Sequence, residues 1–324
     1  MDPFGRTIDY LRVSVTDRCN ERCLYCMPEG YKGWERQPDH LTASELLRVV
    51  RVAAGMGFCK FRLTGGEPLV RADLPNIVRG MKQIPGVKHI GLSTNGSKLA
   101  GLAQSLRDEG VDTVNVSLDA LNTVLYRRIT GGDLNLVLAG IRAAVASNFN
   151  CVKLNTVLMR GVNESEIWPL VLFAAQHDLP LRLIELMPVT TTDVLTEENF
   201  MGVGEAMKLL RQKDELIPQP NWRLGFGPAK YYQLKHTGAR VGFIGAMTNL
   251  HFCETCNKMR LTADGKVRPC LGDHGEIDLR NTLRHAPDDA AVSELLRVAL
   301  QRKPLEHSFR GAYQPCRPMT AIGG

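Results

Sequence analysis

Between about residue 9 and residue 215, short β-rich apolar runs alternate with segments whose apolar residues recur at helical spacing. Alternation of this kind predicts βαβ units and a parallel sheet. Six units over roughly 205 residues average about 34 residues each, the size expected of a βα repeat. The predicted strands are residues 10–15, 60–64, 89–94, 113–118, 151–159 and 181–187. The predicted helices include residues 44–56, 73–82, 98–109, 134–147 and 164–177.

The polar residues of these strands fall on one face, because alternate residues of a strand point to the same side. They are Arg12, Ser14 and Thr16, then Lys60, Arg62 and Thr64, then Asn115, Ser117 and Asp119, and finally Lys153 and Asn155. A closed eight-stranded barrel fills its interior with branched apolar side chains. We therefore expect an incomplete, wider barrel, a partial (β/α)6 TIM-like fold with a polar, ligand-holding interior. A sheet with one solvated face is the alternative.

The pattern changes after about residue 215. Pro218 and Pro220 indicate a linker, followed by a glycine-rich, hairpin-like stretch at 222–245 and a helix near 292–302. This predicts an α/β barrel domain at 1–218 and a smaller C-terminal domain at 219–324. Residues 225–230 look superficially like a phosphate loop but lack its spacing, so we interpret them as part of a hairpin.

The 324 residues carry a formal net charge of +6, which is compatible with an anionic substrate but far from the basic stripe of a nucleic-acid-binding protein. No run of 18 apolar residues occurs, and the N-terminus has no apolar core of a signal peptide. We therefore expect a cytoplasmic protein that binds neither membranes nor nucleic acid. Its nine cysteines should be reduced there, and six of them fall in two tight groups.

The first group, Cys19, Cys23 and Cys26, places three thiolates within eight residues. Zinc would need a fourth ligand, and the nearest histidine is His40. An iron–sulfur cubane held by three cysteines instead leaves one iron open to a small molecule. This spacing therefore favours a redox cluster over a zinc site.

The second group is Cys253, Cys256 and Cys270. Its spacing alone is ambiguous, because His251 or His274 could complete a zinc site. Zinc and a cluster both remain open for this group.

The motif Gly65-Gly66-Glu67-Pro68 closes the second predicted strand, at the end of a barrel where ligand sites lie. Its glycines expose backbone groups, and the Glu67 carboxylate can accept from a cation such as an amino group. A plain turn is the alternative interpretation of this motif.

Together, Cys19-x3-Cys23-x2-Cys26 with Tyr25 and the motif at 65–68 resemble the radical S-adenosylmethionine (SAM) superfamily. Over nearly its whole length the chain resembles the GTP 3′,8-cyclase family within it. This second likeness is carried by residues 11–19, 64–68, 93–96, 115–119, 185–188, 253–256, 268–270 and the terminal Gly-Gly. It implies a partial barrel of about six units. It also implies conversion of GTP to (8S)-3′,8-cyclo-7,8-dihydroguanosine 5′-triphosphate, the first step of molybdenum cofactor biosynthesis.

The resemblance also implies the cofactors and the site residues. Two [4Fe–4S] clusters would be held by Cys19, Cys23 and Cys26 and by Cys253, Cys256 and Cys270. SAM contacts would come from Tyr25, Gly66, Glu67, Ser117 and Met187. GTP contacts would come from Arg12, Lys60, Arg62, Ser93, Lys153, Arg182, Lys258, Met259 and Arg260. Arg12 would also take part in catalysis, together with the tail residues Gly323 and Gly324, which would reach into the active site.

One departure from the family pattern is visible, because Lys258 stands where arginine is expected. Lysine keeps the charge but loses the planar fork, so we expect weaker binding at that contact. The implied partners are an external electron donor, a downstream cyclic pyranopterin monophosphate synthase and a second copy in a homodimer. The rival interpretations are a radical SAM enzyme that modifies peptides and a zinc-stabilised nucleic-acid-binding protein.

Overall fold

The computed structural model describes residues 1–27, 40–190, 196–311 and 313–324. In these ranges twelve strands form one mixed sheet. The strands are β1 (Tyr10–Ser14), β2 (Lys60–Thr64), β3 (His89–Thr94), β4 (Thr113–Ser117), β5 (Cys151–Leu158), β6 (Leu181–Glu185), β7 (Leu216–Pro218), β8 (Lys230–Leu234), β9 (Arg240–Ile244), β10 (Lys258–Leu261), β11 (Lys266–Arg268) and β12 (Ile277–Asp278). The α-helices described are α1 (Ala43–Gly55), α2 (Leu74–Lys82), α3 (Ala103–Glu109), α4 (Thr123–Thr130), α5 (Leu134–Ala146), α6 (Ile167–Gln176), α7 (Val203–Arg211), α8 (Arg280–His285), α9 (Ala290–Gln301) and α10 (Met319–Ile322).

Strands β1 to β6 are parallel and lie side by side in chain order, which confirms the predicted six-unit partial barrel. The bounds of β2 and β3 agree with the sequence prediction, and the other four strands end one or two residues earlier. Helix α4 was not predicted. Asn122 caps its N-terminus, because the Asn122 side chain accepts a hydrogen bond from the Leu125 amide. The helix starts at Thr123, a few residues after the end of β4.

The C-terminal strands extend the sheet at both edges, which the sequence pattern did not predict. Strand β10 pairs in parallel with β1, and β9 pairs in parallel with β6. The remaining strands add antiparallel, β11 and β12 beyond β10, and β8 and β7 beyond β9. The division between residues 218 and 219 stays a prediction.

The helices cover the outer face of the barrel, as α1 illustrates. Thr42 and Glu45 form a capping box at its start, and its buried residues Leu46, Val49 and Ala53 recur at the spacing of one helix face. None of the described helices is by itself long and apolar enough to cross a membrane. Helices α4 and α5 together have the length and composition of a membrane span, but the pair is bent by 95°.

A candidate active site between two cysteine groups

The inner face of the barrel encloses a cavity of about 350 Å³, within the usual size of small-molecule sites. Most of the polar residues that the strand pattern assigned to the interior line it, namely Arg12, Arg62, Asn115, Ser117, Asp119, Lys153 and Asn155. The second cysteine trio, Cys253, Cys256 and Cys270, lines it as well. Tyr25, which neighbours the first trio of Cys19, Cys23 and Cys26, also lines this cavity.

Cations dominate this cavity. Strand register places Arg260, Arg12 and Arg62 side by side on β10, β1 and β2. Among the lining residues that the structure describes there are seven Lys or Arg side chains and a single side-chain carboxylate, that of Asp119. Buried charges of one sign repel each other, so the cavity favours a ligand with several negative charges.

The protonation of these cations reflects that crowding. Burial, and then repulsion from Arg182 and Arg62, lowers the pKa of Lys153 to about 8. Burial likewise lowers the pKa of Lys258 to about 8, with Arg12 adding to the effect. A bound anion would reverse these shifts because it stabilises the protonated forms.

Unpartnered polar atoms also indicate a ligand. The buried Nε of Arg12 and Oδ1 of Asn115 have no hydrogen-bond partner in the protein. Buried polar groups are nearly always paired, so such atoms in a cavity are typical of a site that a ligand completes. One of them is a donor and the other an acceptor, which suits a ligand with both kinds of group.

Other cations are held in place by the barrel. Arg62 donates to the Tyr10 hydroxyl at 2.6 Å and to the Leu92 carbonyl at 2.7 Å. Arg182 Nε donates to Asn155 Oδ1 at 2.8 Å. These side chains are positioned before any ligand arrives, which lowers the entropy cost of binding.

Two of the residues expected to contact GTP lie elsewhere. Lys60 pairs with Asp9 at 2.6 Å and lies over the Phe226 ring at 4.5 Å, and it is not among the described lining residues. The Met259 side chain is fully buried in the hydrophobic core. It faces away from the cavity because its neighbours on β10, Lys258 and Arg260, face inward. Ser93, in contrast, lines the cavity. The roles of Lys60 and Met259 stay predictions.

The first cysteine trio follows β1, at the carboxyl end of the barrel strands. All three are free thiols. Burial raises the pKa of Cys19 and Cys26 to about 12, and the Glu67 carboxylate adds to this at Cys19. Thiols in these surroundings lose their protons when they bind a metal. An iron–sulfur cluster is a metal group that three cysteine thiolates can hold.

A single metal ion has no comparable site in the described part of the chain. No group of three or more His, Cys, Asp or Glu side chains there is compact enough to hold one ion. Three sulfurs bound to one zinc would lie within about 4 Å of each other, since Zn–S bonds are about 2.3 Å long. Three free thiols on one short loop are the ligand number of an iron–sulfur cluster that keeps one iron open.

Around the first trio, the expected SAM contacts take different positions. Tyr25 donates to Asp119 Oδ2 at 2.7 Å, and both residues line the cavity with Ser117 and Met187. A Cβ on Gly66 would collide with the backbone carbonyls of Asp17 and Arg18, so only glycine lets this turn approach the cysteine loop.

Glu67 is 1% exposed, and three donors already hold its carboxylate: Leu69 N at 3.0 Å, Thr94 Oγ1 at 2.7 Å and Asn95 N at 2.7 Å. Burial raises its pKa to about 7 despite these bonds. The carboxylate therefore ties the turn to the end of β3. Its predicted contact with an amino group stays a prediction.

The second trio has a different electrostatic environment. Although burial raises it, the pKa of Cys256 is lowered overall, because Lys303 and Lys258 stabilise its thiolate. The histidines considered as zinc ligands make other contacts: His251 bonds Glu254 at 2.6 Å, and His274 lies 3.2 Å from Cys316. The chemistry of this trio, with free thiols facing a cavity, also fits a cluster.

The C-terminal tail reaches the cavity. Helix α10 brings the Gly323 carbonyl to within 2.5 Å of Arg260 Nη1, and Arg12 donates to the Gly324 carbonyl. Arg317, just before α10, bonds Asp264 and Glu276 at 3.0 Å each and so anchors the tail.

Sequence reasoning missed part of the cavity wall. Residues 224–228 lie in the connection between the antiparallel strands β7 and β8, so the hairpin interpretation was right, but they also line the cavity. Lys258 Nζ donates to the Phe226 carbonyl at 2.9 Å. The glycines at 225 and 227 were the one signal for such a close approach. Lys303 also lines the cavity, beside the second trio, and no sequence pattern indicated that position.

Two family models match the chain in tandem. Residues 13–174 match the radical SAM superfamily, and residues 179–309 match Molybdenum Cofactor Synthesis C. Curated relatives cover the whole chain. GTP 3′,8-cyclase of Pelotomaculum thermopropionicum is 44% identical over 100% of this chain and 99% of its own length. GTP 3′,8-cyclase 1 of Pseudomonas aeruginosa is 41% identical with the same coverage.

Solved structures resemble the chain in fold. Native anSMEcpe with bound AdoMet has a TM-score of 0.63 at 15% identity, over 93% of this chain and 82% of that one. Streptococcus suis SuiB bound to S-adenosylmethionine has a TM-score of 0.60 at 14% identity, over 87% and 66%. Identities this low support a shared fold and nothing more.

Proposed function

The chain belongs to the radical SAM superfamily and, within it, to the GTP 3′,8-cyclases, and we propose that its cavity converts GTP to (8S)-3′,8-cyclo-7,8-dihydroguanosine 5′-triphosphate. This is the first step of molybdenum cofactor biosynthesis. The observation that carries the proposal is the cavity itself, which is bordered by a cysteine trio and lined by seven Lys or Arg side chains, among them Arg12 with an unpartnered buried Nε. Relatives of that name match the chain from end to end.

Cys19, Cys23 and Cys26 would hold one [4Fe–4S] cluster, and Cys253, Cys256 and Cys270 the other. When bound, the first cluster and SAM supply a 5′-deoxyadenosyl radical, which can take the 3′ hydrogen atom of GTP so that C3′ bonds to C8. For SAM we propose contacts from Tyr25, Gly66, Glu67, Ser117 and Met187. The Tyr25–Asp119 hydrogen bond supports this, because it holds the ring at the cavity wall next to the first trio.

For GTP we propose that the cations bind the triphosphate and so fix the ribose and the base relative to each other. The proposed contacts are Arg12, Lys60, Arg62, Ser93, Lys153, Arg182, Lys258, Met259 and Arg260. Charge-assisted bonds from several cations are strong inside a water-poor cavity. Holding both reacting carbons of one substrate in contact lowers the barrier to ring closure. Lys60 and Met259 are the least supported members, because Lys60 is paired with Asp9 and the Met259 side chain is buried in the hydrophobic core.

Arg12, Gly323 and Gly324 are the proposed catalytic residues. Arg12 has a free Nε in the cavity while it donates to the Gly324 carbonyl. It can therefore contact substrate and tail at once, and its cationic N–H groups suit the product stage, when the ring system gains a proton. The tail fills space beside Arg12 and Arg260 and excludes water from the site.

The setting of the enzyme is also part of the proposal. We propose a cytoplasmic homodimer that takes electrons from an external donor and passes its product to cyclic pyranopterin monophosphate synthase. Six of the nine cysteines are proposed cluster ligands, and this use of thiols supports a reducing compartment. We further propose that residues 1–218 and 219–324 are the two domains, each contributing one cysteine trio.

The direct test of this function is anaerobic reconstitution of the chain with iron and sulfide, followed by SAM, GTP and dithionite. We expect a new nucleotide with the same mass as GTP that separates from GTP by chromatography, since the hydrogen atom that C3′ loses to the 5′-deoxyadenosyl radical is replaced by one electron and one proton when the cyclised radical is reduced. Formation of 5′-deoxyadenosine should depend on GTP. GTP-independent cleavage of SAM with no new nucleotide would contradict the proposal.

We expect GTP affinity to fall as the pH rises through about 8. Lys153 has its pKa lowered to about 8, and its protonated form binds the triphosphate better, so loss of that proton raises the dissociation constant by up to about tenfold per pH unit. Lys153→Arg should make this fall in affinity shallower, because arginine stays protonated over this pH range. It should not abolish the fall, because Lys258 has a similar pKa and still loses its proton. Lys208→Arg, on the exposed face of α7, is the control. Equilibrium binding of GTP from about pH 7 to about pH 10 measures this, and a flat profile would contradict it.

Lys258→Met should weaken GTP binding roughly 10- to 100-fold, because a hydrogen bond to a charged group contributes about 1.5–3 kcal/mol. Lys258→Arg should bind GTP at least as well as the parent, since its fork suits phosphate oxygens. Lys208→Met controls for loss of a lysine elsewhere. Parent-like affinity in Lys258→Met would remove this residue from the GTP site.

A further inference from the structure

One buried lysine joins the two segments that carry the second cysteine trio. Lys303, just after α9, is 3% exposed, and its Nζ donates to the Lys258 and Pro269 carbonyls at 2.8 Å each. Lys258 lies two residues after Cys256, and Pro269 immediately precedes Cys270. A single ammonium group therefore holds both segments against each other.

The charge of this ammonium group is not balanced by a carboxylate. No ion pair of Lys303 is found among the residues that the structure describes, and in this Lys303 resembles the other Lys and Arg side chains that line the cavity. A buried charge without a counter-charge is strongly unfavourable. The groups that can supply negative charge beside it are the three cysteine sulfurs.

Lys303 lies beside this trio. It lines the cavity together with Cys253, Cys256 and Cys270, and its two carbonyl partners are at most two residues away from Cys256 and Cys270 in the chain. Arg6 donates to the Cys253 carbonyl at 3.0 Å, so a second cation lies on the other side of the trio.

The first trio has the opposite environment. The carboxyl groups of Glu21 and Glu67 lie near Cys19, and those of Glu21 and Asp119 lie near Cys23. The net charge around an iron–sulfur cluster and hydrogen bonds to its sulfurs are main determinants of its reduction potential. Carboxyl groups therefore lie beside the first trio, with Arg22 also bonded to the Cys19 carbonyl, whereas lysine and arginine side chains lie beside the second.

We propose that Lys303 is a positioning residue that supplies the counter-charge of the second cluster and raises its reduction potential. The inference rests on the proposed assignment of a [4Fe–4S] cluster to the second trio. Taking up one electron makes the cluster more negative, and an adjacent ammonium group stabilises that reduced form. Its two carbonyl bonds hold the cysteine segments at the spacing the cluster needs.

The test is a redox titration of the second cluster followed by electron paramagnetic resonance. Full-length chains with Cys19, Cys23 and Cys26 all replaced by alanine isolate the second cluster, and each result is repeated in the holoenzyme. Lys303→Gln should shift the midpoint potential to a more negative value, and Lys303→Arg should keep it near the parent value. Loss of iron to a chelator should be roughly tenfold faster in Lys303→Gln. Lys208→Gln is the control for a lost surface charge.

The possible failures are distinguishable. A parent chain without iron and sulfide at the second trio would overturn the cluster assignment, and the inference with it. A fully loaded Lys303→Gln chain with an unchanged midpoint would overturn the inference alone. If Lys303→Gln fails to load but Lys303→Arg loads, the charge requirement is supported. If neither variant loads, side-chain shape and not charge is what the site needs, and the inference is wrong.

Discussion

Deleting Gly323 and Gly324 is expected to reduce cyclisation by roughly 100-fold or more while both clusters remain loaded. The deletion removes the Gly323 and Gly324 carbonyls that accept from Arg260 and Arg12. Both arginines then lose their fixed positions at the substrate. Adding one residue to the tail should have the same effect, since the end of the chain would have to move.

Single substitutions make this prediction sharper. A Cβ on Gly323 would lie 2.7 Å from Ser14 Cβ, at a backbone φ of +91° that favours glycine, so Gly323→Ala should also lose activity. Gly324 contacts Arg12 through its backbone carbonyl, which alanine keeps, and a Cβ there would meet only Met319 Cε at 3.6 Å, so Gly324→Ala is the matched control and should retain activity. The measurement is product formed per chain, beside iron content. Normal turnover by the deletion variant would remove the tail from the mechanism.

Cys270→Ala is expected to uncouple the two halves of the reaction. The first trio is unchanged, so SAM cleavage should persist, whereas cyclised product should fall by roughly 100-fold because the substrate loses its positioning. Cys270 lines the cavity, and the hydrogen bond from Lys303 to the Pro269 carbonyl still holds this segment in place. The structural effect of the substitution should therefore be confined to the second trio.

Cys316→Ala is the control, because Cys316 is an exposed cysteine that belongs to neither trio. The readouts are 5′-deoxyadenosine and nucleotide product from the same reaction. Coupled product at the parent rate in Cys270→Ala would mean that the second trio does not position GTP.

Much of the barrel could be predicted because its signals are local. Period-two alternation identified β1 to β6, and the same alternation separated Arg12 and Lys153 from their apolar neighbours. Where the prediction was incomplete, the deciding contact was remote. Lys60 has the inward parity of its strand but lies near the strand start, where Asp9 binds it at 2.6 Å.

The sequence by itself determined the six-unit parallel barrel, its polar interior and the two cysteine trios, because strand periodicity and ligand spacing involve residues that are close in the chain. Only the tertiary structure decided that β9 and β10 extend the two barrel edges, that the tail meets Arg12, and that Lys303 lies at the second trio. These contacts join residues 34 to 312 positions apart or depend on strand pairing across the whole chain. No local pattern encodes them, since they result from how the complete sheet closes and which buried charges must then be compensated.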